Sequence, residues 1–193
     1  MRGDSDESLA LSVYRREDGA FEELIATYEK PLFNYVHRLL FNAHDAEEVV
    51  QDTFIRAHKA LTRKYTEQQC RDLRIRAWLF RIARNLSRNK RRGKRHELEQ
   101  QMSESGSEVE TVSPLSIVCE VEKKEDLERL EMAIRKLPRE TRELIVLRFI
   151  EEMSYAEIAE TTGSTESSLR GKIFRSLRAL RDALSSEEVA HAM

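Results

Sequence analysis

Apolar residues recur at steps of three and four along most of the chain, the spacing that places them on one face of an α-helix. Residues 21–40, 45–61, 74–86 and 126–150 all show this spacing. Pro31 lies inside the first of these stretches, so a kink or break is expected near it. Only 6 Gly and 3 Pro interrupt the 193 residues. The pattern predicts an all-α protein.

The segment from Ser154 to Arg181 has the pattern of two helices joined by a tight turn. Ser154 and Glu157 have the spacing of a capping box, which predicts that the first helix begins at Tyr155. Gly163 predicts where this helix ends, because glycine readily adopts the left-handed backbone of a C-cap. Apolar side chains on one side of the second helix are Leu169, Ile173, Leu177 and Leu180.

The rest of the second helix is strongly basic. Its cationic side chains are Arg170, Lys172, Arg175, Arg178 and Arg181. A short helix, a glycine turn and a longer basic helix are typical of the helix-turn-helix motif, whose second helix enters the DNA major groove. An ordinary helical hairpin with a solvated basic face is the alternative interpretation.

The stretch Asp45–Leu61 is predicted to form an amphipathic helix that Asp45 caps, with Glu48 three residues on. Its apolar stripe consists of Val49, Val50, Phe54, Ala57 and Leu61. Its polar side chains include Glu48, Gln51, Asp52 and Arg56. A polar face of this kind is usually only a solvated face, and spacing alone does not make it an interface.

Positive charge is concentrated between Arg71 and His96, where eleven Lys or Arg face one acid, Asp72. Such a cluster repels itself in the free protein, and a polyanion relieves that repulsion. A polar loop, Thr62–Asp72, precedes the cluster. Aromatic side chains near this charge suit the stacking of unpaired bases, although core packing is the simpler interpretation for Phe80. These aromatic residues are Tyr65, Trp78 and Phe80.

Acidic residues dominate from Glu97 to Glu125, where the helical period is lost. The composition predicts a flexible acidic linker between two small helical domains. The expected organisation is a polar N-terminal tail over 1–19, a first domain over 20–97, the linker over 98–125, a second domain over 126–184 and a tail over 185–193. A chain that holds duplex DNA at one end and an unpaired strand at the other suits the opening of DNA.

Several classes of function lack support in the sequence. Nothing approaches the ~18 consecutive apolar residues of a membrane span, and the acidic N-terminus is unlike a secretory signal. Cys70 and Cys119 form no CxxC pair, and the five His have no metal-ligand spacing. No nucleotide-binding glycine loop or catalytic constellation is visible. We therefore expect a cytoplasmic protein without enzymatic activity, metal, cofactor or membrane contact of its own.

Two blocks of the sequence resemble a known family. DAEEVVQDTFIRAHKAL together with RAWLFRIARNLSRNKRR resembles sigma region 2 of bacterial sigma factors. LPRETRELIVLRFIEEMSYAEIAETTGSTESSLRGKIFRSLRALR resembles sigma region 4. In this order and with a short linker, the blocks are similar to the extracytoplasmic-function (ECF) group. The resemblance covers about residues 20–98 and 126–184.

The resemblance implies roles for residues on three helices. The residues implied to bind core RNA polymerase, at the clamp helices of the beta-prime subunit, are Glu48, Gln51, Asp52 and Arg56. The residues implied to bind the minus-ten element are Trp78, Arg81, Arg84, Asn85, Arg88 and Asn89. The residues implied to read the minus-thirty-five element are Ser167, Ser168, Arg170, Lys172 and Arg175. The loop Thr62–Asp72 resembles the loop that captures a flipped base.

The implied partners are core RNA polymerase, including its beta flap, promoter DNA in duplex and single-stranded form, and an anti-sigma factor. The implied function is transcription initiation in response to stress. Gly171 departs from the family pattern, since many relatives carry Ser there, and a helical Gly costs about 1 kcal/mol relative to Ala. The bases that this helix reads are therefore left open.

Two other classes of protein compete with this interpretation. A stand-alone helix-turn-helix regulator explains Ser154–Arg181 equally well, but it leaves the basic, aromatic-bearing stretch Arg74–Arg92 unexplained. A nuclease would need paired carboxylates or a His-based metal cluster beside the basic surfaces. Binding to core polymerase in the absence of DNA distinguishes a sigma factor from a stand-alone regulator. Cleavage of nucleic acid that depends on a divalent metal tests the nuclease interpretation.

Overall fold

The computed structural model describes residues 3–102 and 121–191, with side chains described over 9–93 and 129–182. The described ranges contain helices, turns and loops but no strand, so the all-α prediction is confirmed. The helices are α1 (Gly3–Arg15), α2 (Ala20–Leu40), α3 (Ala43–Arg63), α4 (Glu67–Arg71), α5 (Ile75–Met102), α6 (Val121–Lys136), α7 (Arg139–Ile145), α8 (Tyr155–Thr162) and α9 (Glu166–His191). They divide into an N-terminal unit with α1–α5 and a C-terminal unit with α6, α7, most of α8 and α9.

The core of the N-terminal unit lies where α2, α3 and α5 pack together. The rings of Tyr35 and Phe80 meet there with their centroids 5.1 Å apart. Phe80 is fully buried, which agrees with the core-packing interpretation of this residue. The predicted apolar stripe of α3 is also buried, from Val49 to Leu61. Each stripe is buried because three amphipathic helices can cover one another's apolar faces.

Most of the polar tail expected over residues 1–19 forms α1. Leu9, Ala10 and Val13 share one side of this helix and are buried. α1 packs on α4 and also touches α2, α3 and α5. The short apolar side was not predicted because most of the segment is polar. Burial of these three apolar residues stabilises the helix.

The predicted break near Pro31 and the predicted start of α3 both differ from the structure. α2 continues through Pro31 as one helix, with Tyr28 and Leu32 buried on either side of it. α3 begins at Ala43 rather than after Asp45, because the Asn42 side chain accepts a hydrogen bond from the Asp45 backbone N–H at 2.9 Å. Asn and Asp are equally good N-caps. In the folded chain Asn42 takes the N-cap position, and Asp45 lies in the first turn of α3.

The loop expected over Thr62–Asp72 contains a helix of its own, α4. Its N-terminus is a capping box in which the Gln69 N–H donates to Thr66 Oγ1 at 3.3 Å and the Thr66 N–H donates to Gln69 Oε1 at 2.9 Å. The T-x-x-Q spacing was present in the sequence and is the signal that could have found it. Cys70 in this helix is fully buried.

The linker expected over 98–125 overlaps both neighbouring helices. α5 continues to Met102 and α6 begins at Val121. Residues 103–120, which include Cys119, lie outside the described residues. The tail expected over 185–193 continues α9 as far as His191.

The C-terminal unit is built around contacts of α9 with α6 and α7. α7 runs on into a π-helical turn, Val146–Ile150, closed by a 2.9 Å hydrogen bond from the Glu151 N–H to the Val146 carbonyl. Arg142 in α7 is buried and donates from Nε to the Ile134 carbonyl at 3.0 Å. Its Nη2 donates to the Leu137 carbonyl at 2.8 Å, so a guanidinium satisfies the end of α6.

The predicted helix–turn–helix is confirmed in its local features. Ser154 caps α8, with its Oγ accepting from the Glu157 N–H at 3.2 Å and its N–H donating to Glu157 Oε2 at 2.8 Å. Gly163 ends α8 with φ of 71°, in the left-handed region. The buried face of α9 differs from the prediction by one residue, because Ser176 is 3% exposed whereas Leu177 is 40% exposed. Steps of four and three from Leu169 lead through Ile173 to Ser176, which lies about 20° around the helix from Leu169, whereas Leu177 lies about 80° away.

Candidate nucleic-acid and partner-binding surfaces

One exposed face of α3 carries the residues expected to bind polymerase. Glu48, Gln51, Asp52 and Arg56 are all exposed and follow steps of three, one and four. Ile55 lies among them and is 50% exposed, which is unusual for a large apolar side chain in this unit. Sequence reasoning missed Ile55, although its position three residues after Asp52 placed it on the same face. An exposed apolar residue within a polar face is a common centre of a protein interface.

The acidic end of this α3 face is tied to the basic helix α5. Lys90 Nζ in α5 forms an ion pair with Glu48 Oε2 and lies 3.9 Å from Asp45 Oδ1. The hydrogen bond to Glu48 raises the pKa of the Lys90 ammonium, and the carboxylates of Asp45 and Asp52 raise it further. Glu48 therefore has a hydrogen-bonded partner within the chain, and Asp52 interacts electrostatically with the same lysine.

Five of the residues expected to bind the minus-ten element lie on one face of α5. Their spacing repeats at three and four along the helix, as for any set that shares a helix face. Arg81 and Arg84 are half-buried at the base of this face, whereas the residues further along are exposed: Asn85, Arg88 and Asn89. The face presents guanidinium and amide donors, which suit phosphate oxygens and base edges.

Trp78 differs from the other residues of this set because it is only 4% exposed. Its ring packs against Tyr65, with the centroids 5.6 Å apart. In this arrangement the indole packs against Tyr65 and supports it, and the minus-ten role of Trp78 stays a prediction. The half-buried Tyr65, which leads into α4, is the aromatic side chain nearer to solvent.

The residues expected to read the minus-thirty-five element are exposed along the first turns of α9. They are Ser167, Ser168, Arg170, Lys172 and Arg175. Ser168 Oγ donates to the Thr165 carbonyl at 2.9 Å, at the start of the helix. Phe174 shares the outer face with Arg170 and is 71% exposed. Sequence reasoning missed it, and a large apolar residue in the basic half of the pattern was the available signal.

Gly171 lies on the same exposed face. A Cβ built there meets only the Arg175 guanidinium, at 3.9 Å, which is ordinary van der Waals contact. Packing within the protein therefore does not require glycine at this position.

The described residues also bear on metal binding, membrane insertion and thiol chemistry. Within them, no group of three or more His, Cys, Asp or Glu is placed to hold a metal ion. None of the described helices is long and apolar enough to cross a membrane. Burial raises the pKa of the Cys70 thiol, so it stays protonated and poorly nucleophilic near neutral pH.

Comparison with known proteins identifies the class to which these surfaces belong. Residues 24–97 match the family Sigma-70 region 2, and residues 127–180 match the family Sigma-70, region 4. The chain belongs to the sigma-70 family, whose members are transcription initiation factors and not enzymes.

Relatives that match this chain over most of their length place it in the ECF group of the sigma-70 family. The chain is 29% identical over 183 residues to the ECF RNA polymerase sigma factor SigW of Bacillus subtilis, covering 89% of this chain and 92% of SigW. It also resembles the structure of CnrH in complex with the cytosolic domain of CnrY, with a TM-score of 0.69, 27% identity and coverage of 95% and 99%. It shares its fold with the sigma factor RpoE of Bartonella quintana, solved with the anti-sigma factor NepR, with a TM-score of 0.68, 23% identity and coverage of 86% and 98%. This chain is an ECF sigma factor.

Proposed function

We propose that this protein binds core RNA polymerase through α3, opens the minus-ten element with α5 and reads the minus-thirty-five element with α9. The observation that carries the proposal is that each family-implied set, apart from the buried Trp78, lies on one face of one helix. Two basic faces on two separate units can engage two separated promoter elements, as the order of the two regions requires.

The proposed polymerase contact centres on Ile55, flanked by Gln51, Asp52 and Arg56. An apolar side chain ringed by polar groups excludes water from its partner and gains most when it is fully desolvated. The partner on the polymerase is the clamp-helix region of the beta-prime subunit. In the C-terminal unit, Phe149 is an exposed large apolar side chain that suits contact with the beta flap.

The proposed minus-ten contact uses Arg81, Arg84, Asn85, Arg88 and Asn89. Arginines that neutralise phosphates release condensed counterions, which favours binding of either duplex or single strands. We assign capture of an unpaired base to the α4 loop next to Tyr65, with Trp78 as the packing support beneath it. The sequence shows no nucleotide-binding glycine loop, so we attribute opening to binding energy or to a partner.

The proposed minus-thirty-five contact uses Ser167, Ser168, Arg170, Lys172 and Arg175, with Phe174 added from the structure. Arginine hydrogen-bonds guanine edges and phosphates, and an apolar side chain can contact the methyl group of thymine. These chemistries together give α9 the means to select a sequence and to hold the backbone.

Control by an anti-sigma factor in the cytoplasm is part of the proposal. It is supported by the shared fold with RpoE, which was solved with the anti-sigma factor NepR. An inhibitor of this kind would cover the α3 face, the DNA-binding faces, or both. The domain limits 20–97 and 126–184 are retained as part of the proposal, and the family matches over 24–97 and 127–180 lie within them.

Transcription from a genomic fragment library with purified core polymerase, with and without this protein, tests the proposal. We expect start sites that occur only with the protein and share two promoter elements. Duplex binding without new start sites would favour a stand-alone regulator instead. Cleavage of the fragments that requires a divalent metal would favour a nuclease.

Variants at the three faces sharpen the test. Arg56→Ala should weaken polymerase binding, Arg88→Ala promoter opening, and Arg175→Ala duplex recognition. Lys30→Ala removes an exposed cation on α2, outside the three proposed helices, and is the matched control that should change none of the three.

A further inference from the structure

The ring of Tyr155, at the start of α8, lies beneath two guanidinium groups. The Arg170 Cζ atom of α9 is 4.8 Å from the ring centroid. The Arg148 Cζ atom, in the π-helical turn, is 5.2 Å from the same centroid. Both distances fall within the range of about 6 Å in which a cation is attracted to an aromatic face.

Tyr155 and Arg148 are fixed to the body of the C-terminal unit. Tyr155 is the first residue of α8, directly after the Ser154 N-cap with its two capping hydrogen bonds. Arg148 Nη1 donates to the Met153 carbonyl at 2.7 Å, and the Met153 side chain is fully buried. The π-helical turn that carries Arg148 is an insertion in the helical ladder of a kind often found at functional sites.

Arg170 itself is exposed on α9 and has the Tyr155 ring as its described contact. A free arginine side chain populates many rotamers, and holding it on DNA costs conformational entropy. Stacking over a fixed ring removes part of this cost before DNA arrives. The flat guanidinium also keeps its N–H edges available for DNA while its face covers the ring.

From this geometry we propose that Tyr155 is a positioning residue that holds Arg170 ready to contact promoter DNA. The inference rests on the proposed role of α9 in promoter recognition and names a further residue for it. Tyr155 itself does not need to touch DNA. It acts through Arg170. The Arg148 side chain supplies the second guanidinium at the same ring.

A double-mutant cycle on promoter binding tests the proposal. The affinity of the reconstituted holoenzyme for a promoter found in the library experiment is measured for Tyr155→Leu and for Tyr155→Phe. Each change is made with Arg170 present and in an Arg170→Ala background. Tyr155→Phe keeps the ring and is the matched control, and thermal unfolding checks that each variant is folded.

We expect Tyr155→Leu to weaken binding about three- to tenfold when Arg170 is present, from the loss of stacking and pre-organisation. In the Arg170→Ala background the same change should have less than about a twofold effect, because the two residues act as one unit. Tyr155→Phe should bind within about twofold of the wild-type protein, since the ring face is retained.

Equal losses from Tyr155→Leu in both backgrounds would overturn the proposal and assign Tyr155 to folding or to a direct contact. No loss in either background would also overturn it. A wild-type holoenzyme without promoter-specific affinity would refute the proposed role of α9, and that outcome is distinguishable because it precedes any substitution.

A structural readout accompanies the cycle and does not depend on transcription. The Arg170 Nε–H resonance should be displaced by the ring current of Tyr155 in the free protein. The displacement should persist in Tyr155→Phe and vanish in Tyr155→Leu. An Arg170 resonance that is the same in all three proteins would contradict the stacking on which the proposal depends.

Discussion

Arg15 near the end of α1 donates a hydrogen bond from Nη2 to Glu67 Oε1 in α4, at 2.7 Å. The same carboxylate oxygen accepts from Arg71 at 2.6 Å, one turn further along α4. Both partners of the Arg15–Glu67 pair are about half exposed, and exposed pairs of this kind contribute little stability. The pair instead fixes where α1 lies against the loop that we assign to base capture.

The apolar side of α1 should contribute to the stability of the N-terminal unit. We predict that Leu9→Ala lowers the free energy of unfolding by about 2–3 kcal/mol, because Leu9 is buried and its loss leaves a cavity. Leu11→Ala, at a half-buried position of the same helix, should cost clearly less. Urea unfolding monitored by Trp78 fluorescence measures both. If both substitutions leave the free energy of unfolding almost unchanged, residues 1–15 behave as a tail.

The Glu67 carboxylate should report on the contact with α1. Its hydrogen bonds, first from Arg15 and then from Arg71, lower its pKa from the ordinary 4.5. A depressed carboxylate pKa means that the link is present at neutral pH and is lost as the pH falls through the lowered pKa. Removing a cation should therefore raise the pKa of Glu67.

An NMR pH titration of the Glu67 carboxyl measures this effect. We expect Arg15→Ala to move the midpoint upward toward 4.5, and by more than Arg71→Ala does, because the Arg15 hydrogen bond is the largest cause. If Arg15→Ala leaves the midpoint in place, the contact between α1 and α4 does not persist in solution.

Ile55 should be a strong determinant of polymerase binding. We predict that Ile55→Ala weakens the affinity for core polymerase by more than about 1 kcal/mol, roughly fivefold or more, as for other apolar interface anchors. The stability of the free protein should change little, because the side chain is 50% exposed. Titration of fluorescently labelled protein with core polymerase measures the affinity. An unchanged dissociation constant would remove Ile55 from the interface.

Gly171 should be replaceable without loss of stability. Gly171→Ala is expected to stabilise the C-terminal unit by about 1 kcal/mol, because Ala has the higher helix propensity and its Cβ meets only Arg175 at 3.9 Å. Gly93→Ala, in an equally open position of α5, is the control for the N-terminal unit. Thermal unfolding measures both. A fall in promoter affinity with Gly171→Ala, despite this gain, would show that glycine is needed for close approach to DNA.

Arg175 should read bases. We predict that Arg175→Ala weakens binding to a matched promoter by about 1–3 kcal/mol and relaxes selectivity at one position. Arg181→Ala removes the same charge about 1.7 turns further along α9 and should lack this selectivity effect. Competition binding with single-base promoter variants makes the comparison. A loss that is uniform across sequences, with a shallower salt dependence, would assign Arg175 to a phosphate instead.

Local sequence signals anticipated much of the fold. The α8 capping box at Ser154 and Glu157 and the stop at Gly163 depend on hydrogen bonds within a few residues, so the sequence alone specifies them. The same reasoning chose Asp45 over Asn42 at the start of α3. Both residues can cap, and the sequence pattern does not say which one the folded chain uses.

Periodicity and charge are properties of single segments, so they were enough to predict the helical class and the helices with basic faces. The two family regions were found by their resemblance to known sequence blocks. Tertiary structure decided whether an apolar side finds a partner. It ordered α1 over Leu9 and Val13, buried Trp78 against Tyr65, and placed Arg170 over Tyr155. Burial and stacking are made between segments that are distant in sequence or separated by a turn, and no local pattern contains that information.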